Sequence, residues 1–120
     1  MSIRKNKMRK IDKPWGHELV WAETEKYVGK ILHISNGSCL SLQYHSVKDE
    51  TVMVKSGILT MEIRENDTIK IFKMNQGESL HIKPGLIHRM SAYDGDIEVI
   101  EVSTPELHDV IRIEDNYGRL

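Results

Sequence analysis

The sequence predicts an all-β sandwich or barrel. Three observations lead there: short runs rich in β-branched and aromatic residues, glycine or turn residues between them at roughly 8- to 12-residue intervals, and no stretch left over for a long helix. The first run, His17–Ala22, follows Pro14-Trp15-Gly16. Val28–Ile34 ends at Asn36-Gly37, a turn signal, and Ser38–Tyr44 starts beyond it. Glu50–Ser56 and Ile58–Arg64 meet at Ser56-Gly57. Glu65-Asn66-Asp67 joins Ile58–Arg64 to Thr68–Lys73. Ser79–Ile82 and Leu86–Ser91 flank Lys83-Pro84-Gly85, and Asp94-Gly95-Asp96 precedes Ile97–Ser103. Pro105 then stops strand pairing; Glu106–Asp109 suits a single turn and Val110–Glu114 a last short strand.

A chain of 120 residues with 39% hydrophobic and 29% charged residues suits one core with an ordinary charged surface. No apolar run approaches the roughly 20 residues that cross a bilayer, and the basic N-terminus lacks the apolar stretch of a signal peptide, so a cytoplasmic location is expected. A single cysteine, Cys39, cannot form an internal disulfide. The net charge of −1 hides an asymmetry: Arg4, Lys5, Lys7, Arg9, Lys10 and Lys13 face only Asp12 in residues 1–13, whereas residues from Asp94 onward are acidic. Residues 1–13 are expected to form a solvated basic arm and residues 14–120 the folded domain. With Trp15 the only aromatic near that arm, neither nucleic acid nor membrane is expected as a partner.

Strand alternation places several reactive groups on common faces. Cys39, Ser41, Gln43 and His45 point one way; Glu50 shares a face with Val52 and Val54, and His88 with Leu86 and Met90. Closing the strands into a barrel turns these faces inward, where Gln43, His45, Glu50 and His88 can converge. One amide oxygen, two imidazole nitrogens and one carboxylate suit a divalent metal, zinc first, with manganese, cobalt, iron or nickel as alternatives.

The spacing of these four residues resembles the two motifs of the cupin family. Gly37, five residues, Gln43-Tyr44-His45, four residues, Glu50, six residues and Gly57 look like the first motif, with glutamine replacing the commoner first histidine. Gly77, five residues, Lys83-Pro84-Gly85, two residues and His88 look like the second, with the proline one place late and Ala92 where asparagine is common. The implied fold is a single-domain jelly-roll barrel. Pro14-Trp15-Gly16, Lys30-Ile31, the segment 40–45, His88-Arg89 and the ending Asp109-Val110-Ile111-Arg112 with Asp115-Asn116-Tyr117-Gly118-Arg119 are similar to the cupin domain of type II mannose-6-phosphate isomerases. In many relatives that domain follows a guanylyltransferase domain, for which 120 residues leave no room. Thr51-Val52 stand where relatives often have His-Trp, which leaves isomerisation or epimerisation of another sugar or sugar phosphate, or plain carbohydrate binding, as alternatives.

The resemblance implies a metal-dependent isomerase interconverting mannose 6-phosphate and fructose 6-phosphate, and a homodimer. Moving a proton between C2 and C1 needs a base, an electrophile and a grip on the phosphate. Lys30, on a face with Val28, Leu32 and Ile34, requires an anion: a sugar phosphate or developing oxyanion, or else a salt bridge within the barrel. Arg112 matches an arginine that serves the active site in the resembled family; the alternative is an ion pair with Asp109, Glu114 or Asp115. Glu101, inward with Ile97 and Val99, is the candidate base.

Overall fold

The computed structural model describes residue 3 and residues 5–120; Arg4 of the basic segment lies outside them. Among the described residues, eleven strands build two antiparallel sheets. In chain order they are β1 (Arg9–Lys13), β2 (Gly16–Glu23), β3 (Val28–Ile34), β4 (Leu42–Tyr44), β5 (Glu50–Ser56), β6 (Leu59–Glu65), β7 (Thr68–Met74), β8 (Ser79–Ile82), β9 (Ile87–Ser91), β10 (Ile97–Ser103) and β11 (Ile111–Glu114). One sheet runs β1-β2-β3-β10-β5-β8 and the other β11-β4-β9-β6-β7, the crossovers of a jelly roll. None of its elements is a helix able to cross a membrane.

Two differences from the sequence expectation have clear physical causes. Residues 9–13, the end of the expected arm, form edge strand β1, paired with β2 from Arg9↔Val20 to Lys13↔Gly16. Only Ile11 is apolar among the alternate residues Arg9, Ile11 and Lys13, so the strand carries no hydrophobic alternation to read. The expected Ser38–Tyr44 strand is regular only at Leu42–Tyr44; its first half follows β9 through separate bonds, Leu40 N to Met90 O and Ala92 N to Ser38 O. Among the described residues, no salt bridge joins the basic segment to the acidic end: Arg9 binds Glu23 at 2.9 Å and Lys10 lies 3.8 Å from Asp12.

The inner face of the larger sheet is graded. Ile34 lies opposite Ile97, and Leu32 opposite Val99, which in turn faces Val54. These rows are fully apolar and pack on Leu59, Met61 and Ile82, all 0% exposed. The next row is Lys30–Glu101–Val52, and the one after it Val28–Ser103–Glu50. Burial of the apolar end, about 25 cal/mol per Å², anchors the sheets and leaves the opposite end free to carry charge.

Turn chemistry fixes the register. Asn66 and Asp67, at φ 51° and 61°, form a two-residue hairpin whose twist matches the flanking strands β6 and β7. Gly57 sits at φ 84°, where a Cβ would lie 2.5 Å from the Asp96 carbonyl oxygen and 2.8 Å from Ile97 Cγ2. Gly77, at φ 86°, has open space around the same position. The C-terminal segment is closed by Asp115, which accepts from the Arg119 backbone N–H (2.7 Å), Nε (3.0 Å) and Nη2 (2.7 Å).

Gly77→Ala is therefore expected to cost about 1–2 kcal/mol, the left-handed backbone penalty alone. Gly57→Ala is expected to cost at least about 1 kcal/mol more, because backbone atoms block the new Cβ; urea denaturation of both variants checks the difference. The Arg119 guanidinium holds the Asp115 carboxyl down at about 2 despite burial. A depressed pKa stabilises the fold above the unfolded-state value of about 4 and loses that stabilisation as pH falls through the folded value. The stability gap between the parent chain and Asp115→Asn is expected to stay constant above about pH 5 and to shrink between about pH 4 and 2.

Candidate metal centre

Both sheets deliver side chains to the polar end. In the smaller sheet, Arg112 lies opposite Gln43, which lies opposite His88, which lies opposite Ile63, so these four share the inner face. In the larger sheet, Glu50 opens β5 beside Ser103. His45 ends the β4 segment on the same face as Gln43, as alternation requires.

His45, Glu50 and His88 come together, with one donor atom of each within 4.8 Å of the others. Their side chains are 1% exposed. Each imidazole is fixed from behind: His45 Nδ1 donates to the Asp109 carbonyl at 2.7 Å, and His88 Nδ1 donates to the Leu86 carbonyl at 2.9 Å. With those protons committed, both Nε2 atoms face Glu50 Oε1, at 3.0 and 3.5 Å. His88 Nε2 and Glu50 Oε2 are buried without a hydrogen-bond partner. Two imidazole nitrogens and a carboxylate oxygen aimed at one point could hold a cation between them. The donor set fits a divalent transition metal, and the two carbonyls behind the rings are the outer-shell contacts such a ligand uses.

Gln43 adjoins this triad. Its Oε1 accepts the Ser41 hydroxyl at 2.6 Å, which orients the amide oxygen while leaving it a second lone pair. Cys39, on the same face, is buried and accepts from Asn116 Nδ2 at 3.1 Å, a packing role.

Charge is balanced by a cation that sequence reasoning did not single out. Lys48, 3% exposed, places Nζ 3.3 Å from Glu50 Oε2 and 3.2 Å from Glu101 Oε2. Burial pulls the Lys48 ammonium down, but Glu101 and Glu50 outweigh it and raise the pKa. Burial likewise raises Glu50, yet His45, His88 and Lys48 drive it well below the usual carboxylate range. Burial lowers His45, and its bond to Glu50 more than restores it, so its pKa is raised. Glu101 goes the other way: burial first, then the negative charge of Glu50, push it up to about 7. The signal that would have found Lys48 is the demand for a counter-cation made by two inward carboxylates.

Asp109 was also missed as an organiser. Its carboxylate accepts the backbone N–H groups of Ser46 (3.0 Å), Val47 (2.6 Å) and Lys48 (2.9 Å), while its carbonyl holds His45. Those amides, that of Lys48 foremost, lower the Asp109 pKa.

The centre opens into a cavity of about 410 Å³ between the sheets. Lys30, Glu101 and Arg112 line it, together with Gln43, His45 and Lys48. Lys30 meets Glu18 Oε1 at 3.1 Å, the salt bridge within the barrel that was one of its two expected readings. Arg112 takes none of its expected ion pairs: Asp109 is held by backbone amides, Glu114 contacts Arg64 and Arg89, and Asp115 binds Arg119. Its Nε is buried without a hydrogen-bond partner. Thr51 points to the outer face and Val52 is in the core, so neither lines this cavity.

The chain matches the family model for the mannose-6-phosphate isomerase C-terminal region over residues 3–115. It is 32% identical over 115 residues to the xanthan biosynthesis protein XanB of Xanthomonas campestris pv. campestris, covering 92% of this chain and 24% of XanB. It is 32% identical over 117 residues to the mannose-1-phosphate guanylyltransferase ManC of Salmonella typhimurium, covering 93% of this chain and 23% of ManC. The chain thus spans about a quarter of the length of these relatives. The capsular polysaccharide assembling protein CapF of Staphylococcus aureus superposes with a TM-score of 0.79 at 18% identity, over 92% of this chain and 35% of that one. The jelly roll is thus of cupin type, and the chain belongs to the mannose-6-phosphate isomerase C-terminal family.

Proposed function

We propose that this chain is a metal-dependent aldose–ketose isomerase that interconverts mannose 6-phosphate and fructose 6-phosphate. The observation that carries the reading is the pair of buried imidazoles, each locked at Nδ1 by a carbonyl, converging with Glu50 behind His45, which itself lines a cavity of about 410 Å³. Such a cavity matches a small polar ligand in size. The family match favours this substrate pair.

His45, Glu50 and His88 would hold the ion, with Gln43 beside them as a further oxygen donor. A divalent ion held there would supply Lewis acidity toward the substrate. Glu101, buried in the cavity wall, is the carboxyl that takes a proton from one carbon and returns it to its neighbour. Lys48 fixes the Glu101 carboxylate from one side, and Lys30, paired with Glu18, lies next to Glu101 across β3 and β10. Arg112, unpaired, binds the anionic end of the substrate. Leu32, Leu40 and Met90 line the walls and exclude water from the reacting carbons.

The purified chain loaded with zinc or manganese is expected to convert mannose 6-phosphate to fructose 6-phosphate and to exchange solvent hydrogen at the sugar carbon; chelation is expected to abolish both. Absence of turnover in every metal-loaded form would refute the substrate assignment. His45→Ala and His88→Ala are each expected to lose bound metal, by elemental analysis, by at least about tenfold. Metal retained in both variants would refute the ligand set. Glu101→Gln is expected to keep metal while lowering kcat by about 10²-fold or more; stopped-flow or coupled assays at saturating substrate check it.

A further inference from the structure

The charges around the cavity do not cancel. Three carboxylates line it, and each is met by a cation of the same lining: Glu18 by Lys30 at 3.1 Å, Glu23 by Arg9 at 2.9 Å and Glu101 by Lys48 at 3.2 Å. A seventh charged residue of the lining, Arg119, is answered from outside it, held by Asp115 through three hydrogen bonds. Lys13 and Arg112 remain. Neither has an acidic partner within salt-bridge distance among the described residues, and Arg112 Nε is buried with no acceptor.

Their placement in the fold is specific. Lys13 ends β1, the outermost strand of one sheet, and Arg112 lies in β11, the outermost strand of the other. Arg9, Ile11 and Lys13 alternate along β1, and all three line the cavity, so Lys13 is aimed at the interior by the β1–β2 register rather than by chance. Lys13 is half-buried, which raises the cost of leaving its ammonium without an anion.

We propose that Lys13 and Arg112 form the subsite for a phosphate monoester, gripping the dianion from the two edge strands on opposite sides of the cavity. The charge match is direct: two unanswered cations face a group carrying close to two negative charges at neutral pH. The guanidinium supplies paired donors in a plane and the ammonium a point charge, a combination suited to three equivalent oxygens. Lys30 is excluded from this role because Glu18 already answers it. The assignment deepens the isomerase reading, since it names the residues that would hold the phosphate of that substrate, and it brings into the site a strand that sequence patterning leaves outside the fold.

The experiment uses inorganic phosphate as probe, titrated into the full chain by calorimetry at low ionic strength, with Lys13→Gln, Lys13→Arg and Arg112→Lys alongside. The parent chain is expected to bind phosphate, Lys13→Gln to weaken binding by about tenfold or more, and Lys13→Arg to restore most of it. Raised salt is expected to weaken binding in the parent chain, since Lys13 is partly open to solvent. Phosphate binding that is absent in the parent chain, or unchanged in Lys13→Gln, overturns the proposal. In the isomerase assay, Lys13→Gln is expected to raise KM for the sugar phosphate by a similar factor with kcat largely kept. Phosphate binding through Lys13 without turnover would leave the subsite standing and remove the isomerase. Turnover with an unchanged KM in Lys13→Gln would do the reverse.

Discussion

A buried chain of alternating charge governs this molecule. Glu50 and Glu101 each point into the barrel, and Lys48 lies between them at 3.3 and 3.2 Å. An isolated carboxylate in such a place would be protonated or would unfold its surroundings. His45, His88 and then Lys48 resolve the conflict for Glu50, whose pKa stays low, whereas Lys48 does so only partly for Glu101, whose neighbour Glu50 is itself negative. Two chemically identical side chains on either side of one ammonium are thus held in opposite states, Glu50 with its pKa lowered and Glu101 with its pKa raised. The apolar rows at the other end of the sheets provide the rigidity that holds these charges in place.

Much of this was legible in the residues themselves. The periodicity of Val28–Ile34, Glu50–Ser56, Ser79–Ile82 and Ile97–Ser103 coincides with observed strands, because in each the less accessible positions recur at every second residue. Alternation also carried Glu50, His88 and Glu101 to the interior, as expected of residues interleaved with valine, isoleucine or methionine. The convergence of His45, Glu50 and His88 followed from that pattern together with the motif spacing.

What escaped sequence reasoning has a common cause. β1 is mostly charged and owes its existence to backbone pairing with β2, which leaves no hydrophobic trace. Lys48 lies in a loop, where no period assigns a face, and Asp109 acts through a carbonyl and through amides that any residue type could supply. Burial of a charged group is decided by its partners, and those partners lie 53 and 61 positions away along the chain.

The Asp109 contacts have a temporal consequence. The residue clasps the loop that carries His45 and Lys48, yet it is made more than sixty residues after them. A ribosome-bound polypeptide that already displays both histidines and Glu50 would still lack the carbonyl that selects the tautomer of His45. The orientation of the His45 ring is therefore fixed only after residue 109 has been made, so a nascent chain already carrying His45, Glu50 and His88 still holds one of the three donor groups loose.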